Sequence, residues 1–134
     1  MELQYQYAHY SHDESENKPI EDIQEALLAF DKFDWLIEAA KAHELELCSP
    51  SLALVIKPDK ELIWVSAYVG PDELNFVSGC KFLGEVTGFL GFGKKQGIVN
   101  LDADRFSKEQ AREAISLFIS QSYDELRRLY KLGS

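Results

Sequence analysis

The sequence predicts an α+β fold: a mainly antiparallel sheet of five to six strands, flanked by N-terminal helices and a long C-terminal helix. Three observations predict it. Apolar residues alternate at period two in residues 2–10 and again in short runs between 51 and 101, with turn residues separating the runs. Two stretches, one before and one after most of those runs, carry apolar residues at helical spacing. Strands joined by short turns pair as hairpins, which places helices on a face of the sheet rather than between parallel strands.

Residues 2–10 open the chain as a strand, with Leu3, Tyr5 and Tyr7 on one side and Gln4 and Gln6 on the other. The run from 9 to 18 is polar and reads as a surface loop. Pro19 is expected to open a helix, because its missing N–H costs nothing there. Glu21 and Asp22 would sit in the first turn, and Ile20, Ile23, Leu27 and Phe30 would form its buried stripe. That phase fails at Asp34, so a break is expected within 31–34. A second helix then buries Phe33, Leu36, Ile37 and Ala40.

The strand pattern begins after Pro50. Residues 52–56 and 62–69 form a hairpin across Pro58-Asp59-Lys60, and 74–77 is a third strand. Gly79 and Gly84 are expected to bracket a connection, with 85–90 a candidate fourth strand, 91–95 a tight loop and 98–101 a last strand. Ser107 with Gln110 three residues on makes a capping box. The stripe Ala111, Ala114, Ile115, Phe118, Ile119, Leu126 and Leu129 extends that helix nearly to the end, where Gly133 should fray.

A chain of 134 residues with 46% hydrophobic content is expected to form one domain, 1–134, with its own core. No run approaches the roughly 18 apolar residues that cross a bilayer, so no membrane association is expected. Met1-Glu2-Leu3-Gln4-Tyr5 has neither the basic nor the apolar region of a secretion signal, so the expected compartment is the cytoplasm. Cys48 and Cys80 lie among apolar neighbours and read as small core residues.

The net charge of −9 is unevenly placed. Residues 1–47 hold twelve acidic residues against three lysines, and residues 48–134 hold eleven of each sign. A one-signed field of this kind repels phosphate backbones and steers basic partners. Nucleic-acid binding, which needs a basic patch, is therefore not expected. An acidic surface also serves solubility alone, and both readings stand at this point.

The strings that could carry chemistry have plainer explanations. Residues 88–95 fit a phosphate-loop pattern until Lys95, which stands where a magnesium-binding hydroxyl belongs, and Gln96-Gly97-Ile98-Val99 reads as turn and strand rather than helix. His9, His12 and Asp13 fall short of a complete metal-ligand set. Asp34 reads as a helix cap, and Asp102 and Asp104 as turn residues, more readily than as catalytic acids. There is no nucleophile-elbow or activated-cysteine signature. No catalytic group, cofactor or metal is expected, and the chain is read as a non-enzyme.

Leu62-Ile63-Trp64-Val65, Leu74-Asn75-Phe76-Val77, Gly84-Glu85 and Phe106-Ser107, followed by Ala111, Ala114, Ile115 and Phe118, span about half the chain, from 51 to 119. Together they resemble the β-meander and following helix of bacterial immunity proteins of the polymorphic-toxin or contact-dependent-inhibition class. The resemblance implies a small cytosolic inhibitor, without cofactor, that occludes a cognate toxin with a basic surface. On that reading the partner-binding residues are Asp13, Glu14, Glu16, Glu21, Asp22, Glu25, Asp31, Asp34 and Glu38, with Tyr10 and Trp35 as apolar anchors. The alternative from the residues themselves is a small-molecule-binding or regulatory domain, with a ligand between sheet and helices. Either can be a monomer or a homodimer.

Overall fold

The computed structural model describes residues 1–11, 14–45, 49–58, 60–69, 73–87 and 94–133, and for 85–87, 94 and 95 the backbone alone. Its elements run β1 (Glu2–Gln6), β2 (Glu16–Pro19), α1 (Glu25–Lys32), α2 (Trp35–Leu45), β3 (Ser51–Lys57), β4 (Glu61–Val69), β5 (Leu74–Thr87), β6 (Lys94–Phe106), α3 (Lys108–Ile119) and α4 (Tyr123–Gly133). The fold is α+β, as the alternation and hairpin spacing require. Six strands form one open sheet in the order β2-β1-β3-β4-β5-β6, and every neighbouring pair is antiparallel.

Strict alternation gives the sheet two different faces. Leu3, Leu54, Ile63, Cys80 and Leu101 align across five strands, and Leu52, Val65, Ser78 and Ala103 form the next row. This face packs against the helices, and its side chains join Phe30, Trp35, Ala114, Phe118 and Leu126 in one core. A bulge late in β6 keeps the pattern in phase. Ser78 pairs with Ala103 but Phe76 with Phe106, so one extra residue in β6 returns Phe106 to the buried face.

One polar group pair is buried within that core. The Ser78 hydroxyl donates to the Trp64 carbonyl at 2.7 Å and lies 2.6 Å from the Tyr130 hydroxyl, which ties α4 to the middle of the sheet. Burial, partly offset by its contact with Tyr130, pushes the Cys80 thiol up to about 12. Cys80 is therefore an inert core residue. Cys48 lies outside the described residues.

Several expectations are corrected. Glu16–Pro19 is not loop and helix start but an edge strand, paired Glu2 to Pro19 through Tyr5 to Glu16. Pro19 is tolerated because an edge residue need not donate on its open side. The Ile20 N–H continues the ladder to the Met1 carbonyl, and regular helix begins only at Glu25. The break between α1 and α2 falls where the failed phase places it, with Phe33 extended at ψ 132°. The second phase, however, is rotated: α2 buries Trp35, Glu38 and Ala39, while Leu36 and Ile37 face outward.

Gly79 and Gly84 do not end a strand; both lie inside the fourteen-residue β5. Gly79 sits under the Trp64 ring, where a Cβ would lie 2.7 Å from its indole nitrogen. Asp102 and Asp104 lie in β6 rather than in a turn. Of the strand expected at 85–90, residues 85–87 are the end of β5; of the loop expected at 91–95, Lys94 and Lys95 already belong to β6, and 88–93 fall outside the described residues. The C-terminal helix is two helices. α3 keeps its capping box, with Ser107 Oγ accepting from the Gln110 N–H and Gln110 Oε1 accepting from the Ser107 N–H. It ends in a Schellman turn, in which the Ser122 N–H reaches the Leu117 carbonyl and Gln121 holds φ at 58°. Gly133 does not fray but packs against Phe106 and Ala103.

Candidate functional site

The helices lie chiefly against β4, β5 and β6. At the other end of the sheet, beyond Leu3, the helical face of β1 is only partly covered. Tyr5 and Tyr7 follow Leu3 on that face and are half-buried. Between them and the α1–α2 corner lies a cleft of about 540 Å³. Leu3, Leu28, Ala29 and Phe33 form its apolar lining, and Glu16 from β2, Glu25 from α1, Asp34 from the corner and Glu38 from α2 border it.

Aromatic rings line this end in a continuous group. Tyr5 and Tyr7 are parallel within 5°, with centroids 6.4 Å apart, and Tyr7 stacks on Phe33 at 5.3 Å. Phe33 in turn stacks on Trp35 at 4.1 Å. Tyr10 meets Tyr7 edge-on at 5.2 Å, and His9 packs on both. Among the described residues neither the Tyr5 nor the Tyr7 hydroxyl has a hydrogen-bond partner. Burial and then the negative charges of Glu16 and Glu25 push the Tyr5 phenol above its ordinary value; burial and then Glu16 do the same for Tyr7. Both phenols therefore stay protonated near neutral pH.

Lys18 and Lys32 also border the cleft. Among the described residues neither comes within ion-pair distance of a carboxylate. The carboxylates of Glu16, Glu25 and Asp34 have no ion-pair partner among the described residues, although Lys18 and Lys32 share the cleft with them.

The structure divides the residues singled out for partner binding. Glu16, Glu25 and Asp34 meet at the cleft, and Tyr10 stands beside it, with its hydroxyl 3.5 Å from Glu16. Glu14, Glu21 and Asp22 are exposed along the chain on either side of β2, and Asp22 accepts from the Gln24 N–H in a local turn. Asp13 and His12 lie outside the described residues, and with them the incomplete ligand set on His9. Among the described residues no three potential ligands gather into a metal site.

Three of the eleven are held by the protein itself. Trp35 is not a surface anchor: it is 1% exposed, donates its indole N–H to the Phe30 carbonyl, and packs edge-on against Phe76. It departs from the apolar phase because a break resets the helix at that position, and not because it faces solvent. Glu38 is not a free docking charge either. It is buried, accepts from the Ala8 N–H at 3.0 Å, and pairs with Lys41 at 3.3 Å. Asp31 is partly exposed but engaged, its two oxygens accepting from Arg112 at 2.8 and 3.0 Å and so clamping α1 to α3.

The residues that sequence reasoning missed are Tyr5 and Tyr7, assigned to the strand's apolar side without a further role. Their signal was chemical: two hydroxyl-bearing rings where a wholly buried strand face would carry Val, Ile or Leu. Comparison with protein-family models, with curated proteins and with solved structures finds no match for this chain.

Proposed function

We propose that this chain is an inhibitor of the immunity class, which binds a basic toxin domain in the cytoplasm of the cell that makes it. The observation that carries the reading is the acidic, tyrosine-lined cleft at the β2–α1 end. Glu14, Glu16, Glu21, Asp22, Glu25 and Asp34 are all exposed there or along its approaches. Trp35 supports this surface from within, and Glu38 lines the cleft while bonded to Ala8 and Lys41. A one-signed exposed surface steers a basic partner before contact, and half-buried tyrosines supply rigid contact area with little entropy to lose. No helix among the described residues is long and apolar enough to cross a membrane.

The test is protection. The DNA flanking the gene is sequenced, and the chain is co-expressed with the C-terminal domain of any large protein found encoded directly upstream. Growth should be restored by the native chain and lost with a quadruple variant, Glu14→Gln, Glu16→Gln, Glu21→Gln and Glu25→Gln, that folds normally. A toxic domain that the native chain leaves fully toxic contradicts the reading.

A second reading has one observation in its favour. The cleft volume of about 540 Å³ lies within the ~300–1,000 Å³ typical of small-ligand pockets. A regulatory domain using it would show a ligand-dependent rise in melting temperature that Tyr5→Leu abolishes.

A further inference from the structure

The tyrosine cleft has two properties that the wider acidic surface lacks. One is a pair of aromatic rings parallel within 5°, whose hydroxyls are free of partners among the described residues. The other is that carboxylates reach it from separate elements, Glu16 on β2 and Glu25 on α1. Both charges act on the same Tyr5 phenol, although burial contributes more to its shift.

We propose that this cleft is a receptor for a single arginine side chain, the guanidinium lying along Tyr5 and Tyr7 and forking to Glu16 and Glu25. The proposal rests on the reading of the chain as a binder of a basic protein, and it names the group on the partner that anchors it. A guanidinium is planar and weakly hydrated, so it stacks on a ring face and spends its edge N–H groups on carboxylates at once. An ammonium is compact and strongly hydrated, and loses more on leaving water. The three carboxylates Glu16, Glu25 and Asp34, unpaired among the described residues, outnumber Lys18 and Lys32 at the rim, so the net charge disfavours a phosphate or carboxylate ligand. Lys18 and Lys32 border the same space without pairing, so they do not occupy the carboxylates that the ligand needs.

The experiment is a titration of the intact, isotope-labelled chain by NMR, with the blocked amino acids N-acetyl-arginine, N-acetyl-lysine and N-acetyl-aspartate methylamides as probes. Arginine should give saturable shifts centred on Tyr5, Tyr7 and Phe33, with a dissociation constant on the order of 1–10 mM. Lysine should bind about threefold more weakly and aspartate not at all. Glu25→Gln, an exposed substitution, should weaken arginine binding by about threefold while the remaining spectrum is unchanged. The native titration does not depend on any variant folding. Shifts spread only over Glu14, Glu21 and Asp22 overturn the receptor and leave the acidic docking surface standing. Equal shifts from aspartate, or none at Tyr5 and Tyr7, also overturn it. A chain that binds arginine in the cleft but fails to protect cells keeps the receptor and loses the immunity reading.

Discussion

The buried Glu38 carboxylate accepts from the Ala8 N–H, and Ala8 is itself wholly buried. Removing that acceptor strands a backbone donor away from water, which costs about 1–3 kcal/mol. Glu38→Ala should therefore destabilise the fold by that amount in urea unfolding, whereas Glu38→Gln, which keeps an amide oxygen, should cost distinctly less. Equal losses would show that Ala8 is not the partner that matters. The Asp31–Arg112 pair behaves differently because both side chains are about half exposed. The Arg112 hydrogen bond holds the Asp31 carboxyl below its ordinary value. A lowered folded pKa contributes stability above the unfolded value, and the contribution is lost as pH falls through the folded one. Native and Asp31→Asn chains should thus differ by about 0–1 kcal/mol at pH 7 and converge in acid, as read from unfolding at stepped pH. Sequence could identify these as carboxylates on a helix but not their use. Ala8 and Arg112 are 30 and 81 residues away, and such partners are set by tertiary packing.

At the scale of the element, legibility followed the strength of local chemistry. The Ser107–Gln110 capping box is local, and it stands as read. The strand β2 was missed because Glu16-Asn17-Lys18-Pro19 contains no large apolar side chain; backbone pairing to β1 holds it, with the Tyr10 hydroxyl on Glu16. The α2 phase was misjudged because its buried face includes a carboxylate while two aliphatics face outward. Glycine was overread as punctuation at Gly79, where its missing Cβ makes room for a cross-strand tryptophan. The stop between α3 and α4 escaped notice because Gln121 fills the left-handed position where glycine is usual. That residue gives a prediction for the element. Gln121→Gly should relieve the strain and stabilise the protein by about 0.5–1 kcal/mol, raising Tm by about 2–4 °C in calorimetry. A lowered Tm would mean that the turn is held by the glutamine side chain rather than tolerated despite it.

Across the whole molecule, the helices cover the far strands and leave the β1–β2 end partly open. The uneven charge legible in the sequence becomes, in the fold, a set of exposed carboxylates around an aromatic cleft. What the sequence could not show is which of those charges the protein uses itself. Asp31 and Glu38 are engaged internally, while Glu14, Glu16, Glu21 and Glu25 have no ion-pair partner among the described residues. The function proposed for that surface predicts a kinetic signature. Long-range steering acts on association, so the rate should fall steeply with salt, and the slope should depend on the exposed carboxylates. The most direct measurement is the association rate constant with the cognate toxin domain across ionic strength. It should be made for the native chain and for the variant with Glu14, Glu16, Glu21 and Glu25 changed to Gln. At low salt the variant should associate at least about tenfold more slowly, with a flatter salt dependence. Superimposable rates at every ionic strength, from a variant shown to be folded, would rule out steering by this surface.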